Sequence, residues 1–399
     1  MPAPTYRPYD ADRDAAAFSR ILVLAFGGTP DGAAGYLDLV GRTNARVLDE
    51  GGQPVASLAR IPMGHWFGGR VVPTVGIAAV GVPPERRGGG RALALMRAAV
   101  REAADEGSAL LSLYASTQAL YRQVGFEQAG SKYETRLPLR QLDVGTRDLP
   151  LEPVDALIDG APNERLVRCY RRYASAFEGC LERGPFIWKR IQQNRDQAYH
   201  GFAVVPDGPG GEVEGYVFLG QVRRDGGRHD VVLSDCAFTT RRAAMRLLGM
   251  LRDLTPMGLT LSMTGGACHP LVPLLPQQWI EVVFREYWMV RIASLEAAVA
   301  ARGFAPTTRL DTTIEVTDEV VPANAGTWRL VVEGGRGRVE RSTARALVRC
   351  PIGTLGSIFT GFLSPWQAIL LGMAEGDEAA ARTLGGAFAG SAPWMVDMF

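Results

Sequence analysis

Residues 75–126 constrain this 399-residue chain more than any other stretch. An apolar run (Ile77, Ala78, Ala79, Val80, Gly81, Val82) leads through Pro83-Pro84 into a glycine-rich turn, and the turn opens directly onto an amphipathic helical pattern. Such a turn bares several backbone N–H groups at the positive end of a helix dipole, which suits an anionic pyrophosphate. Three successive glycines, Gly88, Gly89 and Gly90, permit positive φ and close backbone approach. Arg87 and Arg91 can screen phosphate charge at the same place. A Walker loop is excluded, because its G-x-x-x-x-G-K-[ST] spacing and its lysine are missing. A Rossmann turn fits poorly, since the glycine spacing differs and the turn comes late in its domain. About thirty residues on, Tyr121-Arg122-Gln123-Val124-Gly125-Phe126 follows a second strand-like run at 109–116.

The rest of the chain narrows the class. Apolar residues make up 47% and charged residues 21%, the profile of a soluble globular protein. A formal net charge of +1 provides no global field for nucleic acid or anionic lipid. Lys132 and Lys189 are the only lysines among 43 basic residues, a bias that fits a GC-rich coding sequence better than an arginine-specific partner. Five scattered cysteines without a C-x-x-C pair argue against a disulfide framework and suit a reducing compartment. Cys268-His269 is the one Cys/His neighbour pair, read as a small buried thiol beside a polar ring, so no metal is expected. No run approaches the ~18 apolar residues of a membrane span. The charged N-terminus fits no secretory or transit signal, so a cytoplasmic location is expected.

Three units are read along the chain. The first, 1–144, has a helical pattern at 15–25, strands near 45–48, 55–61 and 71–82, the helix at 90–106, a strand at 109–116 and a closing segment near 133–139. Alternating strand and helix signals indicate an α/β (α+β) layered fold. The second, 145–291, echoes the first: a strand pair at 202–205 and 214–219, a strand at 229–238, then Thr239-Thr240-Arg241-Arg242 leading a helix to Leu254. Here the glycines are absent, and a Cβ at each turn position obstructs a pyrophosphate, so this copy is expected to be structural. The third, 292–399, has a helical pattern at 292–302, strands at 312–316, 327–332 and 337–341, apolar runs at 344–347 and 352–360, and helical patterns at 365–373 and 377–384. Its last residues, Pro393-Trp394-Met395-Val396-Asp397-Met398-Phe399, are apolar where termini are commonly polar and frayed, which suggests docking.

Acyl transfer from a thioester needs a cradle for its carrier, polarisation of the carbonyl and a proton for the departing thiolate. Tyr121 suits the third role, since a phenol of pKa about 10 can protonate a thiolate whose acid has pKa about 8.5. Backbone N–H groups at Val80, Gly81 and Val82 suit the second, if a bulge or the splay before Pro83 leaves them unpaired. An amine acceptor needs a base or an anionic pocket; His65 and Glu85 are candidates, with turn packing and a solvated loop rim as their plainer readings.

The motifs VGVPPERRGGGRALALM, ASTQALYRQVGF and PWMVDMF resemble the enhanced intracellular survival (Eis) family of GNAT N-acetyltransferases, over essentially the whole chain. The resemblance implies tandem GNAT-like domains (the first catalytic, the second degenerate) followed by a sterol-carrier-protein-like domain. It implies acetyl-CoA as cofactor, a homo-hexamer built as a trimer of dimers, and aminoglycoside-like or polyamine substrates. By matching motif, cofactor contacts fall on Val80, Gly81, Val82, Arg87, Gly88, Gly89, Gly90, Arg91, Ala92, Leu93, Ser116 and Thr117. Tyr121 matches the general acid, and the α-carboxylate of Phe399 the general base. Phe26, Tyr36, Trp66, Phe126 and Asp397 are expected to line the acceptor site from their segment positions. Protein lysines as acceptors, longer acyl groups, or an apolar-ligand carrier with a vestigial transferase are the alternatives.

Overall fold

Leu95, Met96, Ala99, Val100 and Ala103 fall on one face of a 3.6-residue period, and this stripe governs how the first part of the chain packs. In the computed structural model, which describes residues 4–194 and 197–399, all five are buried in one apolar cluster. Packing divides the chain into two units: Met1–Gly130, Tyr287–Ser391 and Phe399 in one, Ser131–Glu286 and Ala392–Met398 in the other.

The first unit opens with strand β1 (Thr5–Pro8), helices α1 (Ala11–Phe26) and α2 (Pro30–Val40), and strands β2 (Ala45–Glu50), β3 (Gln53–Phe67) and β4 (Arg70–Gly81). The four strands are antiparallel neighbours in that order. Helix α3 (Arg91–Asp105) crosses over so that β5 (Leu110–Tyr114) runs parallel to β4, the connection a parallel neighbour requires. The short helix α4 (Gln118–Arg122) follows and packs on α3. Helix α2 escaped the sequence reading. Gly32 and Gly35 weaken its propensity, but Pro30 suits its first position, the Thr29 side chain caps it and Ala33, Leu37 and Val40 are buried.

Strand β6 (Glu127–Pro138) carries the chain into the second unit. There follow β7 (Leu151–Val154), α5 (Glu164–Ala174), α6 (Pro185–Gln192), β8 (His200–Val204), β9 (Gly215–Arg223), β10 (His229–Phe238), α7 (Arg241–Arg252) and β11 (Gly258–Gly265). Strands β7 to β10 are antiparallel neighbours, and β10 lies parallel to β11 across α7. The strand–strand–helix–parallel-strand order therefore occurs twice in the chain. Residues 133–138, read from sequence as closing the first domain, instead pair antiparallel with β11, Leu137 opposite Leu261. Conversely β12 (Glu281–Ile292) returns to the first unit, where its residues 288–292 pair with β5. Each repeat closes its sheet with a strand from the other's sequence.

The remainder of the first unit includes α8 (Leu295–Ala301), a sheet of β13 (Leu310–Thr317), β14 (Gly326–Glu333), β15 (Arg336–Arg341) and β16 (Val348–Pro351), edged by the short strand Glu375–Gly376, and helices α9 (Ile352–Thr360), α10 (Pro365–Leu370) and α11 (Glu378–Phe388). The apolar run at 352–360 is the helix α9, buried along its whole length. Arg302, also buried, sits among the rings of Phe67, Phe304, Phe359 and Phe388 at 5.2–5.7 Å, a cation–π enclosure that joins β3 to this part of the chain. Among the described residues no helix is long and apolar enough to cross a membrane.

Candidate active site

Parallel strands β4 and β5 pair only at Thr74, Val75 and Gly76 against Leu110, Leu111 and Ser112. Beyond Gly76 that pairing stops, while β4 runs on to Gly81 along β3. There the register slips: Ser57 faces Gly81 but Ala59 faces Ala78, so Ala79 and Val80 together oppose one residue of β3. This is a β-bulge, and Ala79 takes φ +53°, the left-handed region that non-glycine residues seldom enter. The bulge takes Ala79 and Val80 out of one-to-one register with β3, while Gly81 stays opposite Ser57.

The turn after β4 emerges at the same edge of the sheet. Gly88 and Gly90 have φ of +81° and +72°, and Gly90 is the N-cap of α3. No side chain caps this helix, so the first-turn N–H groups at Arg91, Ala92 and Leu93 are left without the usual acceptor. A Cβ at Gly88 or Gly90 would meet no protein atom within 4 Å, so the space in front of the turn is open. Arg87 is exposed, and its guanidinium donates to the Val82 carbonyl at 3.1 Å. Arg91 is differently placed: its side chain grips Glu50 with two bonds of 2.8 Å and donates to the Arg86 carbonyl, so only its backbone is free to meet an anion. Open glycines, an uncapped helix and the exposed Arg87 guanidinium fit an anionic phosphate group.

Ser116 and Thr117 are exposed just past the carboxyl end of β5, and Thr117 is the N-cap of α4. On α4, Tyr121 is 5% exposed, its ring edge-on to Phe126 at 6.0 Å, within the same apolar cluster as the α3 stripe. Among the described residues nothing hydrogen-bonds its hydroxyl, and burial pushes the phenol up to about 12. Phe126 is buried behind it.

Phe399 lies at the point where β4 and β5 part. Its ring is 6.0 Å from that of Tyr114, and a Cβ on Gly76 would stand 3.0 Å from its Cδ2 and 2.3 Å from Met63 Cε. Glycine at 76 is thus what lets this ring rest on the strand. Of the other aromatic candidates, Phe26 is exposed at the end of α1, Tyr36 packs on the cluster of Phe18, Leu22 and Leu37, and Trp66 is half-buried near the end of β3. His65 is a core residue, stacked on Trp288 at 4.9 Å and hydrogen-bonded to Ser112 at 2.9 Å. Glu85 is exposed and paired with Arg20 at 2.7 Å.

Asp397 belongs to the second unit. Its carboxylate accepts from buried Arg183 at 2.9 Å, and Arg183 also holds Asp235. Burial raises the pKa of Asp397, with Arg183 opposing that shift. Residues 393–397 line the space where β10 and β11 diverge: Trp394 N donates to the Glu178 carbonyl, Ser131 N to that of Pro393, and a void of only about 20 Å³ is left beside Arg183, Asp235 and Asp397. The turn before α7 is closed too. Thr240 Oγ1 caps the helix by accepting from Ala243 N and donates to Glu214 at 2.7 Å, while Glu214 also accepts from Arg242. That helix end already has an anion. Cys268 and His269 part company in this unit: contrary to the sequence reading the thiol is exposed, while the ring is buried, accepts from Leu271 N and has its pKa lowered to about 4 by desolvation.

Sequence reasoning named a bulge near Val80 as one of two possibilities without locating it at Ala79, and it missed the diversion of Arg91 to Glu50 and the role of Gly76. None has a local signal, because each depends on a partner far along the chain.

Residues 5–129 match the family model of an acetyltransferase (GNAT) domain, residues 179–292 a second acetyltransferase (GNAT) domain, and residues 295–396 a sterol carrier protein domain. A crystallised GCN5-related N-acetyltransferase from Anabaena variabilis is 28% identical, with a TM-score of 0.92 over the whole of both chains. Eis1 from Mycobacterium abscessus shares the fold over both full chains, with a TM-score of 0.80 at 21% identity. An uncharacterized N-acetyltransferase of Streptomyces coelicolor is 28% identical over 316 residues, covering 74% of this chain and 73% of that relative.

Proposed function

We propose that this chain, an N-acetyltransferase of the GNAT family with two GNAT domains and a C-terminal sterol-carrier-like domain, uses acetyl-CoA to acetylate a primary amine on an aminoglycoside-like or polyamine substrate. One observation carries the reading: the open Gly88–Gly90 turn, the uncapped α3, the bulged end of β4 and the buried Tyr121 belong to one strand–turn–helix–strand unit. The second GNAT domain, its helix end closed by Thr240 and Glu214, serves as structure.

Acetyl-CoA supplies an acyl group already activated as a thioester. Backbone N–H groups of Gly88, Gly89, Gly90, Arg91, Ala92 and Leu93 hold its phosphates, with Arg87 beside them; Val80, Gly81, Val82, Ser116 and Thr117 line the rest of its path. Tyr121 retains its proton throughout the physiological range and holds it at Oη, ready for a leaving group. An alkyl ammonium of pKa about 10.4 is only ~0.1% free base at pH 7.4, a handicap of roughly 4 kcal/mol. We assign the base to the Phe399 carboxylate, as the resemblance to the Eis family implies, acting through water or by orienting the amine; His65 is sealed in the core and Glu85 is bound to Arg20. The same reading carries a homo-hexameric assembly, which sedimentation would measure.

The test adds acetyl-CoA and a panel of amines to the protein and follows free thiol. Turnover is expected with an aminoglycoside or polyamine; none with these or with a lysine peptide would overturn the reading. Extending the chain past Phe399 converts its carboxylate to an amide, and full activity would remove that group from the mechanism.

A further inference from the structure

The carbonyl of Val124 accepts a hydrogen bond of 3.0 Å from Nε of Arg291, whose side chain is wholly buried at the end of β12. Val124 closes the turn that carries Tyr121: its N–H and that of Phe126 both donate to the Tyr121 carbonyl, at 3.0 and 3.1 Å. Arg291 therefore grips the turn that carries Tyr121 from behind. Its other arm makes two bonds, 2.7 and 2.8 Å, to Asp318, in the loop after β13. Asp318 is buried as well and accepts from Val320 N, Val321 N and the Asn324 side chain, each at 3.0 Å. Every lone-pair direction of that carboxylate is engaged, so the guanidinium has one available position.

The same loop reaches the cofactor helix. Val320 and Val321 are buried in the cluster that holds Tyr121, Val124, Phe126 and the α3 stripe, and Arg101 of α3 donates to the Val320 carbonyl at 3.3 Å. Close packing backs the contact, since a Cβ on Gly125 would lie 2.9 Å from Ile352 Cγ2. A fully satisfied buried ion pair is a poor source of net stability compared with apolar packing, yet it fixes geometry strongly. That asymmetry favours a reason other than stability for placing one here.

We propose that Arg291 and Asp318 are positioning residues for acetyl transfer: the loop after β13 sets the height and orientation of Tyr121 through Arg291 and the Val124 carbonyl, so the sterol-carrier-like domain is a working part of the transferase site. This rests on Tyr121 being the general acid. Arg291→Lys keeps the charge facing Asp318 but removes the Nε donor to Val124. Asp318→Asn keeps acceptors for the loop amides and slackens the grip on Arg291, a second variant should the first fail to fold.

Each variant is compared with the unaltered chain for kcat, for KM of acetyl-CoA, and for the ¹³Cζ signal of Tyr121 in tyrosine-labelled protein at pH 10.5, assigned with Tyr121→Phe. A folded variant is expected to lose at least tenfold in kcat with KM changed less than twofold, and its Tyr121 to become ionised where the unaltered chain keeps it neutral. A folded variant with unchanged kcat and an unmoved Tyr121 signal would overturn the proposal. If Tyr121→Phe itself has normal kcat, the general-acid reading fails, and the signal alone still reports whether Arg291 positions the ring.

Discussion

Tyr121 holds its proton because burial, rather than a neighbouring charge, dominates its environment. Tyr121→Phe is expected to lower kcat by about 10²–10⁴-fold while leaving KM for acetyl-CoA near its original value, as steady-state kinetics will show. The acid form prevails below pH about 12, so no alkaline limb from this group should appear in kcat up to pH 10; a phenol at the ordinary value would be half ionised there. His269 presents the opposite case. Its folded-state pKa is depressed to about 4, so the unfolded chain binds the proton first as pH falls. Its stabilising contribution is present above about 6.5 and is lost as pH drops toward 4, up to about 3 kcal/mol. Denaturant unfolding at pH 7 and pH 4.5 should show that difference shrink in His269→Gln.

Among the elements, the turn before α3 and the segment 393–397 each depend on one device that a single substitution removes. For the turn it is the left-handed backbone at Gly90, which opens onto empty space. Gly90→Ala places a methyl group there and strains the backbone by about 1–2 kcal/mol. We expect KM for acetyl-CoA to rise about tenfold with kcat at saturation largely kept, and coenzyme A titration should show the same weakening. For the segment, the device is Asp397 on Arg183. Removing it with Asp397→Ala should let carboxypeptidase release Phe399 at least tenfold faster, the size of one charged hydrogen bond of roughly 1.5 kcal/mol. An unchanged release rate would mean that Trp394 and the backbone bonds hold the segment without it.

The molecule as a whole is organised by exchange between distant parts of the chain. Strand β5 takes its outer neighbour from residues 288–292, and the cluster around Tyr121 is completed by Met289, Val320 and Val321. A fragment ending at residue 144 would lose all of these and would expose the edge of β5. We therefore expect residues 1–144 alone to show no cooperative unfolding by circular dichroism, although they span a complete GNAT family match at 5–129. A sharp transition would show that the first domain folds without the rest.

Much of this was legible in the residues. The α3 stripe at 95, 96, 99, 100 and 103, the glycines 88–90 and the strand at 229–238 are local patterns, and local patterns are what period and turn chemistry report. The doubled strand–turn–helix order and the glycine-rich turn before α3 followed from them. What could not be read are relations between residues far apart. The pairing of residues 133–138 with β11, the bulge that opposes two residues of β4 to one of β3, the diversion of Arg91 to Glu50 and the line from Asp318 through Arg291 to Val124 all belong to this class. A chain's periodicity states which face of an element is apolar but not which distant face will cover it. That choice is made by shape and by burial of charge only once the units are packed.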